Sequence, residues 1–185
     1  MTIWGASGAA KHDCATRWSE ASHLTEGDLT EKGSGPPLPI RMKGKTVSNP
    51  AFKFDHIHII SENPRASADW YVEMFGATIA ADKVARGAPQ IFVDLGGMTI
   101  LVRGRRPGET PVPARPIRSY GDFSSHNAWG TDHFGFLYQG DLAAFCDKLR
   151  AKGATFGVEL KKGVNGSLLC YVAAPDGVSV ELMQC

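Results

Sequence analysis

What most constrains this chain is that part of it is said twice. Asp55-His56-Ile57-His58-Ile59 is answered seventy-seven residues on by Asp132-His133-Phe134-Gly135-Phe136. Nineteen residues then separate each leading His from the same tripeptide, Gly76-Ala77-Thr78 and Gly153-Ala154-Thr155. A fixed period of this kind is one supersecondary unit used twice, so a reading of one copy constrains the other. His56 and His133 are therefore expected in equivalent places.

In the first copy, Phe54 to Ile60 alternates and is β-branched, which predicts a strand with His56, His58 and Ile60 on one face and Ile57 and Ile59 on the other. Ser61 or Asn63 can cap a helix with Pro64 in its first turn. Trp70, Tyr71, Met74 and Phe75 recur at helical spacing until Gly76 ends the run. Strands are expected at about 77 to 84, 89 to 95 and 98 to 103, the last two joined at Gly96-Gly97. The second copy reads the same way. A strand runs from Thr131 to Tyr138, and Asp141 caps a helix whose Leu142, Phe145, Cys146 and Leu149 form one apolar face. Strands follow at about 154 to 160, 167 to 173 and 178 to 183, with a turn at Pro175-Asp176-Gly177. Each copy is thus a βαβββ module, residues 52–103 and 131–185, and the expected fold class is α+β.

Outside the repeats the pattern is weaker. Residues 1–51 carry no sustained period, and Gly33-Ser34-Gly35-Pro36-Pro37-Leu38-Pro39 reads as a linker, so this stretch is expected to be a dispensable tail. Residues 104–130, rich in Pro, Gly and Arg, form an inter-module loop long enough to lie over a site. The 20 Lys and Arg against 19 acidic residues argue against nucleic acid or an anionic membrane as a bulk electrostatic partner. No apolar run approaches the ~20 residues needed to cross a bilayer. Met1 to Cys14 lacks the basic start and apolar core of a secretory signal, and a cytoplasmic location is expected by default. Cys14, Cys146, Cys170 and Cys185 are scattered without CxxC spacing, which suits four reduced thiols.

Alignment of the repeats at Gly97 and Gly177 pairs Met98-Thr99-Ile100-Leu101 with Val178-Ser179-Val180-Glu181, so Leu101 and Glu181 are equivalent. Ser179, Glu181 and Met183 share a strand face, where Glu181 interrupts an otherwise ordinary alternation. If the His face of each first strand and the Glu face of the last are the concave sides, His56, His133 and Glu181 converge. Two imidazoles and one carboxylate, with nothing from Leu101, make a three-ligand set. It leaves positions for water, substrate or oxygen and favours non-haem Fe(II), with Mn(II) or Zn(II) as alternatives. Asp55 and Asp132 are expected to bond backbone near the strand starts.

The order Asp-His on a first strand, Trp70-Tyr71 through Phe75-Gly76 at a helix end, a second Asp-His, and Ala174-Pro175-Asp176-Gly177 leading to Glu181-Leu182 resembles the vicinal oxygen chelate superfamily. Glyoxalase I, methylmalonyl-CoA epimerase, fosfomycin and bleomycin resistance proteins and extradiol dioxygenases belong to it. The resemblance covers about residues 52–185. It implies two βαβββ modules forming a curved, incomplete eight-stranded barrel around a metal site, with the metal ligands falling on His56, His133 and Glu181. Glyoxalase and epimerase members carry a fourth ligand where this chain has Leu101, whereas the extradiol enzymes do not. Tyr171 through Glu181 matches the extradiol pattern from its Tyr onward, but the His that precedes it there is missing near Lys162 to Val164.

The leading expectation is accordingly an Fe(II) extradiol-type dioxygenase acting on a small substrate with two adjacent oxygens. His58, Tyr171 and His126 are the candidate catalytic groups. Of the loop arginines 103, 105, 106, 115 and 118, Arg103 lies two residues after Leu101 on the expected concave face, where both side chains are candidates to meet substrate, Arg103 through a carboxylate. A glyoxalase-type lyase, isomerase or epimerase is the alternative, and a non-catalytic drug- or metabolite-binding protein a third reading. The expected partners are the small-molecule substrate and a second copy in a homodimer.

Overall fold

A computed structural model describes residues 53–118, 126, 128–164 and 166–185. The expected tail, residues 1–51, lies outside them. The first module runs β1 (His56–Ile60), α1 (Pro64–Phe75), β2 (Thr78–Ala85), β3 (Ala88–Leu95) and β4 (Met98–Arg103). The second runs β5 (Phe134–Tyr138), α2 (Leu142–Ala151), β6 (Thr155–Lys162), β7 (Leu168–Ala173) and β8 (Ser179–Gln184), with a 3-10 turn at Pro175–Gly177. Each helix starts where a side chain can satisfy its orphan amides. Asn63 accepts from the Ala66 amide before Pro64, and Asp141 accepts from the Ala144 amide. Gly76, at φ 71, ends α1 in the left-handed conformation that a side chain resists.

Both modules form four-stranded mixed sheets of identical topology, ordered β1-β4-β3-β2 and β5-β8-β7-β6. In each, the first strand runs parallel to the last, and the other pairs are antiparallel. The fold is thus α+β with two unclosed sheets. A parallel first-to-last pairing requires a long crossover, which the helix and two intervening strands supply. No helix among the described residues is long and apolar enough to cross a membrane.

The period-2 pattern decides which sheet face is buried. Ile59, Ile91, Val93, Ile100 and Val102 point toward Ala68, Tyr71 and Met74 of α1. Cys170, Val172, Val180 and Leu182 point toward Leu142, Cys146 and Leu149 of α2. These side chains join in one core, each large one contributing about 1.5–3 kcal/mol by leaving water. Contacts also cross between the modules. Ser67 Oγ donates to Asp176 Oδ2 at 2.6 Å, and the Lys152 ammonium donates to the Glu73 carbonyl. The opposite faces are left open: His56, His58 and Ile60 of β1 are exposed, as is Leu137 of β5.

Two expectations change. Cys146 and Cys170 are free buried thiols, 3.5 Å apart, but Cys185 is disulfide-bonded, so four reduced thiols is incorrect. Spacing along a chain does not report which sulfurs meet in space. The second copy's first strand begins at Phe134 rather than Thr131, leaving His133 one residue ahead of the ladder.

Candidate metal centre

The second module brings most of the chemistry together. Gly135, Glu181 and Tyr171 lie side by side across β5, β8 and β7, so they share a face. His133, two residues before Gly135, sets its Nε2 3.5 Å from Glu181 Oε2, while its Nδ1 is 2.8 Å from Asp132 Oδ2. The Tyr171 ring lies 4.8 Å from the His133 ring, and Tyr171 stands beside Glu181 in the ladder. Burial first, and then the negative charge of Glu181, push the Tyr171 phenol up to about 12. It is a proton donor at neutral pH and not a base. A Cβ at Gly135 would come within 3.1 Å of Glu181 Oε2, so a glycine there makes room for the carboxylate.

The first module presents the equivalent surface in a different charge state. His56 Nδ1 lies 2.5 Å from Asp55 Oδ2, repeating the Asp132–His133 pair. Both Asp residues hold the imidazole that follows them, and Asp132 also accepts from the His126 backbone amide at 3.4 Å, a backbone bond of the kind expected of it. A carboxylate on Nδ1 fixes the ring and leaves Nε2 as the lone-pair donor, the usual arrangement behind a metal-ligating His. His58 stands opposite Leu101 in the ladder, where the second module has Gly135 opposite Glu181. Partial burial, and then the positive charge of Arg103 with that of Arg106 adding to it, lower the His58 pKa below the ordinary imidazole value. It is neutral at physiological pH.

Arg103 does sit on this face, paired in register with Ile60 and Gln90, but it is only 5% exposed. The carboxylate it meets is the chain's own. Its Nη1 donates to Glu109 Oε2 at 2.6 Å and its Nη2 to Glu109 Oε1 at 3.1 Å, a bidentate pair that anchors the described part of the inter-module loop. That segment then passes the 175–177 turn, where a Cβ on Gly177 would lie 2.5 Å from the Arg115 carbonyl. Residues 110–117, Ile60–Glu62 and 173–177 border a cleft of about 1360 Å³ that contains none of the expected ligands.

His133 and Glu181 thus come together, and His56 does not join them. Among the described residues no three His, Cys, Asp or Glu side chains gather closely enough to hold one ion. The residues still fit a divalent cation. Both imidazoles have their Nδ1 held by a carboxylate, a third carboxylate faces His133 Nε2, and the Ser179 hydroxyl, two residues before Glu181, is buried without a partner among the described residues. Sequence reasoning missed Ser179, Gly135 and the Asp–His pairing. Only the pairing had a signal, since the repeat conserves both residues of the dyad within the chain.

The chain's model match runs over residues 53–182, to the glyoxalase/bleomycin resistance protein/dioxygenase superfamily, and the chain belongs to that family. No match was found among curated proteins. Several solved structures share the fold at low identity. A glyoxylase/bleomycin resistance protein/dioxygenase domain from Frankia sp. EAN1pec is 18% identical with a TM-score of 0.55, over 72% of this chain and 91% of that one. A glyoxalase family protein from Enterococcus faecalis is 20% identical with a TM-score of 0.55, over 71% and 96%. A mutant of the fosfomycin resistance protein FosX from Listeria monocytogenes, complexed with Mn(II) and 1S,2S-dihydroxypropylphosphonic acid, is 16% identical with a TM-score of 0.51, over 71% and 90%.

Proposed function

We propose that the protein is a metal-dependent enzyme of this superfamily in which His56, His133 and Glu181 hold one divalent cation, Fe(II) in the leading case. The observation that carries the reading is the duplicated Asp–His pair, each aspartate on Nδ1, together with Glu181 facing His133 Nε2. His56 lies on the other sheet, so a second copy of the chain supplies it and the centre forms between two open faces. When bound, the cation would act as Lewis acid and electron conduit for a small substrate with two adjacent oxygens. His58, neutral, accepts a proton from that substrate, and Tyr171, protonated, returns one. Environments that push two pKa values apart divide base and acid in this way.

The reaction we favour is extradiol-type oxidative cleavage, because Leu101 denies the site a fourth ligand and a carboxylate base. A redox-neutral lyase or isomerase of the glyoxalase type is the second reading, favoured by the His58 and Tyr171 split, which suits simple proton transfer equally well. Oxygen uptake by Fe(II)-loaded protein against substituted catechols separates them. Uptake with ring-cleavage absorbance supports the first reading. Isomerase or lyase activity under strict anaerobiosis, with no uptake, replaces it by the second.

The shared centre has its own test. His56→Ala and His133→Ala proteins should each fail to bind metal, whereas refolding them together should restore binding in mixed dimers. Random pairing leaves about a quarter of the sites intact, since half the dimers are mixed and one of their two sites is whole. No recovery would remove the second copy from the site.

A further inference from the structure

His126 was a candidate proton carrier, and the structure gives its ring other work. Its Nδ1 lies 2.9 Å from the Asp132 carbonyl oxygen and its Nε2 2.7 Å from the Gly177 carbonyl oxygen. Carbonyl oxygens accept and never donate, so the neutral ring, with one N–H, donates to one of them, and only the imidazolium donates to both. The His126 amide also points at Asp132 Oδ1, at 3.4 Å. With its side chain 13% exposed, the ring stands as a brace between two backbone segments.

Those two segments carry two of the three proposed ligands, His133 and Glu181. Asp132 is the residue whose carboxylate holds His133 Nδ1, and Gly177 ends the turn that leads into β8 and Glu181. The location matters because the β5–β8 ladder begins only at Phe134 with Val180. His133 lies ahead of it. In the first module, by contrast, His56 is itself paired in the ladder, with Thr99. The second histidine therefore lacks the backbone pairing that secures the first, and the His126 ring spans the corresponding gap.

We propose that His126 is a positioning residue: by bridging the Asp132 and Gly177 carbonyls it holds the Asp132–His133 pair in place against Glu181. This rests on the assignment of His133 and Glu181 as ligands. It does not require His126 to touch substrate or metal.

The test uses the full chain and three proteins: wild type, His126→Ala, and Ser67→Ala, which loosens the same turn from its other side by removing the bond to Asp176. Two properties are read. The first is Co(II) affinity with its ligand-field spectrum. The second is the nitrogen-15 signature of the His133 ring in metal-free protein, which reports how firmly Nδ1 keeps its hydrogen. His126→Ala should weaken Co(II) binding by about 10-fold or more, the usual effect of losing a group that orients a ligand. It should also alter the Co(II) spectrum and mix the His133 tautomers, and added imidazole should reverse these changes in part. Ser67→Ala should do neither. An unchanged affinity and an unchanged His133 signature in His126→Ala would overturn the proposal, and so would an equal effect from Ser67→Ala. Should wild type bind no metal, the ligand assignment fails, and the metal-free His133 signature alone decides the brace: mixing in His126→Ala supports it, and a fixed tautomer overturns it.

Discussion

The two modules have the same strand order, the same parallel first-to-last pairing and the same Asp–His pair, yet their open faces are chemically different. Where the first module places His58 opposite Leu101, the second places Gly135 opposite Glu181. Each pair is matched in size: an imidazole beside an apolar wall in one, a carboxylate beside a vacant Cβ position in the other. Their electrostatics also diverge. The first face is ringed by Arg103 and Arg106 and keeps His58 neutral, while the second concentrates Asp132 and Glu181 around His133 and keeps the Tyr171 proton on. Duplication supplied two identical frames. A few side-chain differences leave one open face bearing a carboxylate and the other a basic set.

The two modules should differ most at Glu181 and Leu101. Glu181→Ala should abolish metal retention, because two imidazoles on different sheets are left without a carboxylate. Leu101→Ala, at the equivalent position, should retain metal and lose about 2–4 kcal/mol of stability, as for a buried leucine truncated to a cavity. Metal analysis and thermal melting of the two proteins read this directly. Equal metal loss in both would mean that the modules contribute alike.

Gly135→Ala comes next. The new methyl would meet Glu181 Oε2 at 3.1 Å and its Cβ at 3.3 Å, so the carboxylate must shift. Metal affinity should fall by roughly tenfold with little change in melting temperature. Unchanged affinity would show that the room beside Glu181 is not needed.

A smaller effect concerns the loop that only the first module anchors. Arg103, and then the Arg106 amide, hold the Glu109 carboxyl below its ordinary value, so the tie is present above pH 4.5 and is lost as pH falls through that lower folded value. Wild-type protein should therefore resist proteolysis within residues 104–118 until the pH is well into the acid range. Glu109→Gln should already be cut at neutral pH. Resistance in the variant would assign the loop's order to its prolines.

The smallest effect belongs to His58 in the metal-free protein. Its folded pKa lies below the ordinary imidazole value of 6.5, so the unfolded chain binds more protons between the two values. Stability is then level above about pH 6.5 and declines as pH falls toward the folded value. His58→Gln should flatten that part of the stability curve. A slope that survives the substitution must come from another titrating group.

Much of this molecule is legible in its sequence. The repeat announced two modules. Asn63-Pro64 and Gly76 marked the ends of α1, Asp141 marked the start of α2, and alternation assigned the buried faces, because capping and period are local properties. The candidate ligands were legible too, since an Asp-His pair said twice and a lone glutamate inside an apolar strand stand out against their surroundings.

Which elements form, and which face of each strand leaves water, follow from hydrogen-bond capacity and side-chain periodicity within a dozen residues. Tertiary structure decided the rest. It placed His133 one residue ahead of its ladder, turned Asp55 and Asp132 onto the imidazoles beside them, set the His126 ring between two carbonyls and gave Arg103 to Glu109. It also put His56 on a different sheet from His133 and Glu181. Each of these depends on distances between segments far apart in the chain, which are set by how two helix-backed sheets pack.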